Sequence, residues 1–477
     1  MRRLLPLLLV AALGCPTKAS RTSGDTPAPP AALADLAPDI DGIAAQLIDG
    51  RYAPGIVVGI IRGDERWVKG YGRVGPEDER VPDGDTVFEI GSVTKVFTAL
   101  LAADAEARGE LTLDWELRSF LPPEVTTPRH DRGPIRLRHL ATHTSGLPRM
   151  PSNFEPADPD NPFADYDADR LYAFLSEHAL DRAPGEAYAY SNVGAGLLGH
   201  AVARSLQSTW ADALASRILA PLGLDATTPS AAPGLVAAVG HDGASRPVPS
   251  WDLDVLAGAG DLTSTANDML DFLGAQLAPP PGSLGRAIRA SHEDQRIDGP
   301  VRMGLGWHLG LGGAANDALR WHNGQTAGFH SIIGFDPEQR FGVVVLANQG
   351  SGVIDAFGSA IVLMLRGQAW ALDLPPTIDV APEDLELLEG EYVLSLFFVL
   401  TVRAEGDQLF VQATGQPEFP VFATAEDTFL YRVVDAKLVF ERDPKTGRGT
   451  RLVLHQNGGK STANRVDVPT PEGSSPD

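Results

Sequence analysis

The sequence is poor in cysteine and lysine and contains no apolar run long enough to span a membrane. Its 477 residues include a single cysteine, Cys15, which excludes an intramolecular disulfide framework and any metal site built from several thiolates. The sequence has six lysines and 33 arginines. Its 62 acidic residues outnumber these basic ones and give a formal net charge of −23. Because nucleic-acid affinity depends on basic side chains that neutralise phosphates, this acidity argues against a DNA or RNA partner.

The N-terminus carries the features of an export signal. Two arginines are followed by a ten-residue apolar run, Leu4–Leu13, which has the length of a signal-peptide core. The run leads into Ala12-Leu13-Gly14-Cys15, which resembles a bacterial lipoprotein signal in which Cys15 becomes the lipidated first residue. An ordinary signal peptide cleaved near Ala19 is the alternative. We therefore expect an exported, periplasmic or cell-envelope protein whose membrane contact is an N-terminal lipid anchor.

Composition and patterning divide the rest of the chain. Residues 1–15 are the expected signal peptide, and residues 16–38, rich in Thr, Ser, Pro and Ala, are an expected flexible linker. Residues 39–372 mix helical and strand patterns, and a proline-bearing acidic linker follows at 373–385. Short strand patterns separated by turn signals then predict a small antiparallel β-barrel over 386–467, with a polar tail at 468–477.

The distribution of lysines in the sequence identifies a candidate catalytic base. Between residues 70 and 436 the only lysine is Lys95, three positions after Ser92 at the start of a predicted helix. Three residues is close to one helical turn, so the two side chains lie on the same side. A buried lysine can lose its proton and act as a base, whereas arginine cannot. A helix N-cap role explains the serine but not the lysine, because a cation in the first turn opposes the helix dipole.

The segment Phe88-Glu89-Ile90-Gly91-Ser92-Val93-Thr94-Lys95 resembles the Ser-x-x-Lys motif of the penicillin-recognising serine hydrolases. The similarity is to the branch with class C β-lactamases, D-Ala-D-Ala carboxypeptidases, D-aminopeptidases and esterases. Further segments match in order, among them 135–148, Tyr190-Ser191-Asn192, 258–265 and 321–329. The resemblance implies an α/β fold of the β-lactamase/transpeptidase type, an antiparallel sheet flanked by helices plus a helical lobe. A lipocalin-like C-terminal domain also occurs in related hydrolases.

The resemblance implies roles for the matched residues. Ser92 is the nucleophile, and Lys95 and Tyr190 move its proton, with either of them as the formal base. Asn192 binds a substrate carbonyl. His322-Asn323-Gly324 fills the third motif, with His322 and Gly324 at the substrate, and the Gln325 and Ser92 backbone N–H groups form the oxyanion hole. The literal Lys445-Thr446-Gly447 is interpreted instead as a turn, because Asp-Pro and two glycines surround it.

The sequence therefore predicts a serine hydrolase that cleaves amide or ester bonds through an acyl-enzyme. A D-amino-acid peptidase or carboxypeptidase is the first hypothesis. A carboxylesterase or a class C-type β-lactamase is the alternative, and a slow-turnover penicillin-binding sensor or cell-wall-binding protein is an alternative of another class. No cofactor or metal is expected, because His139 and His143 lack the accompanying pattern of a zinc site. The expected partner is a small-molecule or peptide substrate.

Overall fold

A computed structural model describes residues 32–314, 317–372, 374–395, 397–434, 436–456 and 459–466. The predicted signal peptide, Cys15 and the polar tail lie outside these residues. The chain divides into two compact units on either side of residue 373, each with its own hydrophobic core. Among the described residues, no helix has both the length and the apolar character needed to cross a bilayer.

The N-terminal unit is built on a six-stranded antiparallel sheet in the order β2-β1-β10-β9-β8-β7. Its ten strands include two small two-stranded pairs, β3 with β6 and β4 with β5. The strands are β1 (Gly55–Arg62), β2 (Glu65–Gly72), β3 (Phe88–Glu89), β4 (Arg129–His130), β5 (Gly133–Pro134), β6 (Thr263–Ser264), β7 (His308–Leu309), β8 (Arg320–Gln325), β9 (His330–Asp336) and β10 (Phe341–Ala347).

Helices cover both faces of this sheet and form a lobe beside it. Adjacent residues of β9 show the two faces, since Ile332 contacts α10 while Ile333 belongs to the core that includes α8. The helices are α1 (Leu33–Asp49), α2 (Thr94–Ala107), α3 (Leu137–Ala141), α4 (Ala168–Glu177), α5 (Asn192–Ser205), α6 (Trp210–Leu214), α7 (Ala220–Leu222), α8 (Ala266–Leu277), α9 (Ser283–Ser291) and α10 (Val353–Leu365). The α2 helix is almost wholly buried and packs against α5 and α9.

The C-terminal unit is a closed eight-stranded antiparallel barrel preceded by a short helix, α11 (Pro382–Glu386). Its strands are β11 (Gly390–Ser395), β12 (Phe398–Glu405), β13 (Gln408–Ala413), β14 (Glu418–Ala425), β15 (Thr428–Tyr431), β16 (Ala436–Arg442), β17 (Gly449–Gln456) and β18 (Gly459–Val466). The first and last strands pair, which closes the barrel, and apolar side chains fill its interior.

The predicted fold class is confirmed, and two predicted linkers need correction. The α1 helix begins at Leu33, inside the linker predicted over 16–38, because Leu33, Leu36 and Ile40 recur at helical spacing and are buried. The α11 helix likewise occupies the end of the linker predicted over 373–385, with Pro382 at its first position.

Candidate active site

Ser92 and Lys95 come together at the start of α2. Ser92 lies in a single 3₁₀ turn, Gly91–Val93, and the α-helix itself begins at Thr94. The Ser92 hydroxyl does not cap the helix; it lies 2.8 Å from Lys95 Nζ. Lys95 Nζ also donates to the Ala259 carbonyl at 2.6 Å. The lysine is 3% exposed, and burial, with a smaller effect of the Arg149 charge, holds its pKa well below the usual value.

Tyr190 completes the group on the other side of Ser92. It comes just before α5, where the Ser191 hydroxyl caps the helix by accepting a hydrogen bond from Gly194 N–H. Burial raises the pKa of Tyr190 to about 12, and its hydrogen bond with Ser92 opposes that rise. Lys95 Nζ lies 5.0 Å from the centre of the Tyr190 ring. The three residues predicted to be catalytic therefore share one buried site.

The third motif lies on β8, where His322 is buried and Gly324 lies against another part of the backbone. His322 is fully buried, 0% exposed, and packs against Tyr190 and His308, with ring centres 6.4 and 5.3 Å away. Burial and the neighbouring His308 and Lys95 keep the pKa of His322 well below its usual value. His322 is therefore a buried side chain beside Tyr190, and its role as a substrate contact stays a prediction.

Gly324 is needed for the close approach of the chain's own backbone. A Cβ atom at Gly324 would lie 1.9 Å from the carbonyl oxygen of Ile90, so only glycine lets β8 approach the segment before Ser92. Gly91 has a φ of +48°, and a Cβ there would lie 2.7 Å from the Gln325 backbone nitrogen. This close approach brings Gln325 beside Ser92, and the role of Gly324 in making room for substrate stays a prediction.

A cavity opens beside Ser92. Asn192 and Gln325 line it together with Ser92, and the side chains of Phe163 and Trp251 form part of an apolar wall. The aromatic rings of that wall touch, with centres 5.2 Å apart. The Asn192 amide nitrogen donates a weak hydrogen bond to Met150 Sδ at 3.5 Å. The cavity thus offers a polar edge next to the nucleophile and an apolar pocket beyond it.

Several residues of this site have no signal in the sequence. His143 stacks on Tyr190 with ring centres 4.4 Å apart, and its Nδ1 accepts a hydrogen bond from the Ser191 N–H. Asp355 on α10 accepts hydrogen bonds from Asn323 and His330, each at 2.8 Å, and so fixes both ends of the β8–β9 turn. Their partners are distant in the chain, and only the folded structure brings them together.

The literal Lys445-Thr446-Gly447 lies in the turn between β16 and β17 of the barrel, as predicted. Asp443 accepts hydrogen bonds from the Lys445 and Thr446 N–H groups at 2.8 and 2.9 Å, and Gly447 has a φ of +71°. This geometry belongs to an Asx-type turn and not to a strand beside Ser92. The match to the third motif is accidental.

Comparison with known proteins agrees with this geometry. The sequence model of the β-lactamase family matches residues 40–362. A β-lactamase from Pseudomonas fluorescens is 27% identical over 349 residues, which cover 66% of this chain and 94% of the relative. The D-alanyl-D-alanine-carboxypeptidase/endopeptidase AmpH of Escherichia coli K12 is 27% identical over 325 residues, covering 65% of this chain and 83% of AmpH.

A solved structure carries the same fold. The β-lactamase/D-alanine carboxypeptidase from Pseudomonas syringae superposes with a TM-score of 0.60 at 23% identity, over 71% of this chain and 100% of that one. The family match covers about two thirds of the chain and ends before the C-terminal barrel. On these grounds the chain belongs to the β-lactamase family and is a serine hydrolase.

Proposed function

We propose that this hydrolase is a D-amino-acid peptidase or carboxypeptidase that works through an acyl-enzyme on Ser92. The observation that carries the proposal is the pair formed by Ser92 Oγ and Lys95 Nζ, 2.8 Å apart, with the lysine buried and its pKa well below the usual value. A neutral amine at this distance is a competent base for a serine hydroxyl.

In the acylation step the Ser92 oxygen attacks the substrate carbonyl carbon while its proton passes to Lys95. Tyr190, whose pKa burial raises to about 12, keeps its own proton in the resting enzyme and is hydrogen-bonded to Ser92. When the tetrahedral intermediate collapses, the C–N bond breaks, its electron pair goes to the leaving amine, and Tyr190 supplies the proton. Lys95 then returns a proton to Tyr190, and the ester on Ser92 remains.

The surrounding groups bind the rest of the substrate. The Ser92 and Gln325 backbone N–H groups hold the developing oxyanion, which supplies much of the rate enhancement in such sites. Asn192, which lines the cavity, holds an amide carbonyl of the acyl part. The acyl side chain enters the apolar pocket at Phe163 and Trp251. Water, deprotonated by the same lysine, releases the acid.

The state of His322 favours a peptidase over a dedicated β-lactamase. The third motif of related β-lactamases carries a lysine, whose positive charge binds the β-lactam carboxylate. In this chain the position is occupied by a buried histidine whose pKa is lowered well below its usual value, so the charge is missing at neutral pH. One relative is called a carboxypeptidase/endopeptidase, which supports the same choice.

Intact mass spectrometry tests the proposal. The purified protein is mixed with an acyl-D-Ala-D-Ala peptide or with benzylpenicillin, and adduct and product are followed in time, with Ser92→Ala as the control. We expect Ser92-dependent release of D-alanine, and either no penicilloyl adduct or one that decays slowly. Fast hydrolysis of penicillin without peptide cleavage would contradict the proposal and favour a β-lactamase. A permanent adduct without any turnover would favour the penicillin-binding sensor.

We also propose that the protein is exported and attached to a membrane by a lipid on Cys15. The support is the sequence Ala12-Leu13-Gly14-Cys15 after a charged start and an apolar run. In a bacterial host we expect the wild-type protein in the membrane fraction with a lipid-sized mass increase. Cys15→Ser should appear in the soluble periplasmic fraction without that increase. A wild-type protein processed near Ala19 would show that an ordinary signal peptide is used.

A further inference from the structure

Arg149 is an exposed cation beside the catalytic tyrosine. Its guanidinium carbon lies 5.1 Å from the centre of the Tyr190 ring, and its backbone carbonyl accepts a hydrogen bond from the Asn192 N–H at 2.9 Å. This backbone contact ties the position of Arg149 to the second catalytic motif. Within the described part of the chain, no carboxylate forms an ion pair with the guanidinium, so its donors are available to a ligand.

The other basic side chains at Tyr190 are buried or half-buried, which disfavours their charged forms. Lys95, His143 and His322 all contact the tyrosine ring, and burial is the main reason why the pKa of each lies well below its usual value. His308, next to His322, has a pKa lowered by burial to about 4. Of the basic groups described around Tyr190, Arg149 is the exposed one, and an arginine keeps its positive charge in a protein.

The proposed role of Tyr190 indicates which part of the substrate lies near the charge of Arg149. The residue that protonates a leaving group must lie within hydrogen-bond distance of it. The leaving group therefore lies next to Tyr190, whose ring centre is 5.1 Å from the guanidinium carbon of Arg149. An arginine guanidinium matches a carboxylate with two parallel hydrogen bonds, and an unpaired one beside a leaving group selects an anionic leaving group.

We propose that Arg149 is a specificity-determining residue that binds the carboxylate of the leaving group. This makes the enzyme selective for leaving groups that end in a free carboxylate, as the C-terminal residue of a peptide does in a carboxypeptidase. The inference rests on the acyl-enzyme function proposed above. It assigns to Arg149 the anion-binding role that the neutral His322 does not fill.

Two thioesters that share one acyl group test the inference. N-benzoylglycyl thioglycolate has an anionic leaving group, and its methyl ester has a neutral one. Thiolates leave without a proton, but these two thiols differ in acidity, so each variant is compared with the wild type on the same thioester. We expect Arg149→Gln to lower kcat/KM for the carboxylate by at least about tenfold while changing that for the methyl ester by less than about twofold. Arg149→Lys should restore part of the loss.

The ratio of the two kcat/KM values separates this role from an electrostatic one. Removing the Arg149 charge also lets the pKa of Lys95 rise, but that effect acts equally on both thioesters. Arg340→Gln is the control, since it removes an exposed arginine from the turn between β9 and β10 at the ends of those strands remote from Gln325. Equal losses on both thioesters would overturn the role of Arg149 and leave the serine hydrolase intact. Absence of any Ser92-dependent turnover by the wild type would overturn both proposals.

Discussion

The proposed catalytic residues are placed so that the amine of Lys95 is easy to deprotonate and the phenol of Tyr190 is hard to deprotonate. Lys95 is almost completely buried and has no carboxylate among its described partners, so burial destabilises its charged form. Burial also disfavours the charged form of Tyr190. For a phenol this raises the pKa, to about 12. Of the two residues that could act as the base, electrostatics therefore favours Lys95, with Tyr190 as the acid.

The pH dependence of acylation follows from the state of Lys95. Activity requires the neutral amine, so kcat/KM falls as the pH drops through the pKa of Lys95 and is constant above it. Because that pKa is lowered, we expect the plateau to extend well below the usual lysine range of about 10.4. A pH–rate profile of kcat/KM measures this. A profile that rises steadily up to pH 10 would contradict a neutral Lys95 in the free enzyme.

If Tyr190 is the acid, the loss of activity when its hydroxyl is removed should depend on the leaving group of the substrate. We expect Tyr190→Phe to lower kcat/KM for an amide substrate by about 10²–10⁴-fold, the usual contribution of a positioned acid or base. The loss should be much smaller for a thioester with the same acyl group, because a thiolate leaves without protonation. Stopped-flow acylation rates on the two substrates supply the comparison. Equal losses would mean that Tyr190 acts before the leaving group departs.

The sequence singles out Ser92, Lys95 and Tyr190, which the fold brings together, because each lies in a short motif with its own chemistry. It does not predict the burial of His322, which depends on His308 and Tyr190 from other parts of the chain. Arg149 is missed for the same reason, since its contact with Tyr190 joins two segments 41 positions apart in the sequence. Local patterns identify groups that react, whereas their charge states depend on tertiary contacts.

At the scale of elements, two glycines allow β8 to meet the start of α2. We expect Gly324→Ala to destabilise the protein by about 1–3 kcal/mol, because the new methyl group would overlap the Ile90 carbonyl oxygen at 1.9 Å. Displacement of β8 would also move Gln325 and lower kcat/KM. Thermal unfolding and hydrolysis measure the two effects.

Gly42→Ala is the matched control for this substitution. Gly42 lies within α1, and a Cβ atom there would have no neighbour within 4 Å. Alanine is also the better helix former, so this variant should be as stable as the wild type or slightly more so. A Gly324→Ala protein with unchanged stability and activity would contradict the close approach of β8 to Ile90.

Most elements follow from their sequence pattern, and the exceptions have a physical cause. The apolar run of Gly55–Arg62 has a strand pattern and Ala266–Leu277 has a helical one, and the structure forms β1 and α8 over these residues. The β18 strand was not predicted, because it is almost entirely polar and buries only Ala463. Its strand conformation comes from pairing with β17 and β11 on its two sides. Pairing partners, unlike apolar periodicity, cannot be seen within one segment.

At the scale of the whole molecule, the two units have separate cores. The catalytic residues and their described partners all lie before residue 373, and the barrel core begins at Leu385. We expect a chain that ends at Leu372 to fold, to hydrolyse substrate through Ser92, and to unfold within about 4 °C of the corresponding transition of the full chain. Calorimetry and kinetics test this. An aggregated or inactive product would show that the N-terminal unit needs the barrel.

The pairing of β11 with β18 has a consequence for association with other chains. Sheets recruit foreign strands through unpaired edges, and a closed ring of eight strands has none among its described residues. The six-stranded sheet does have two edges, but β7 is only two residues long and β2 carries Glu65, Arg66 and Lys69. Short and charged edges are poor templates for β-addition. Neither sheet therefore offers, in its described residues, an edge at which aggregation by strand addition could begin.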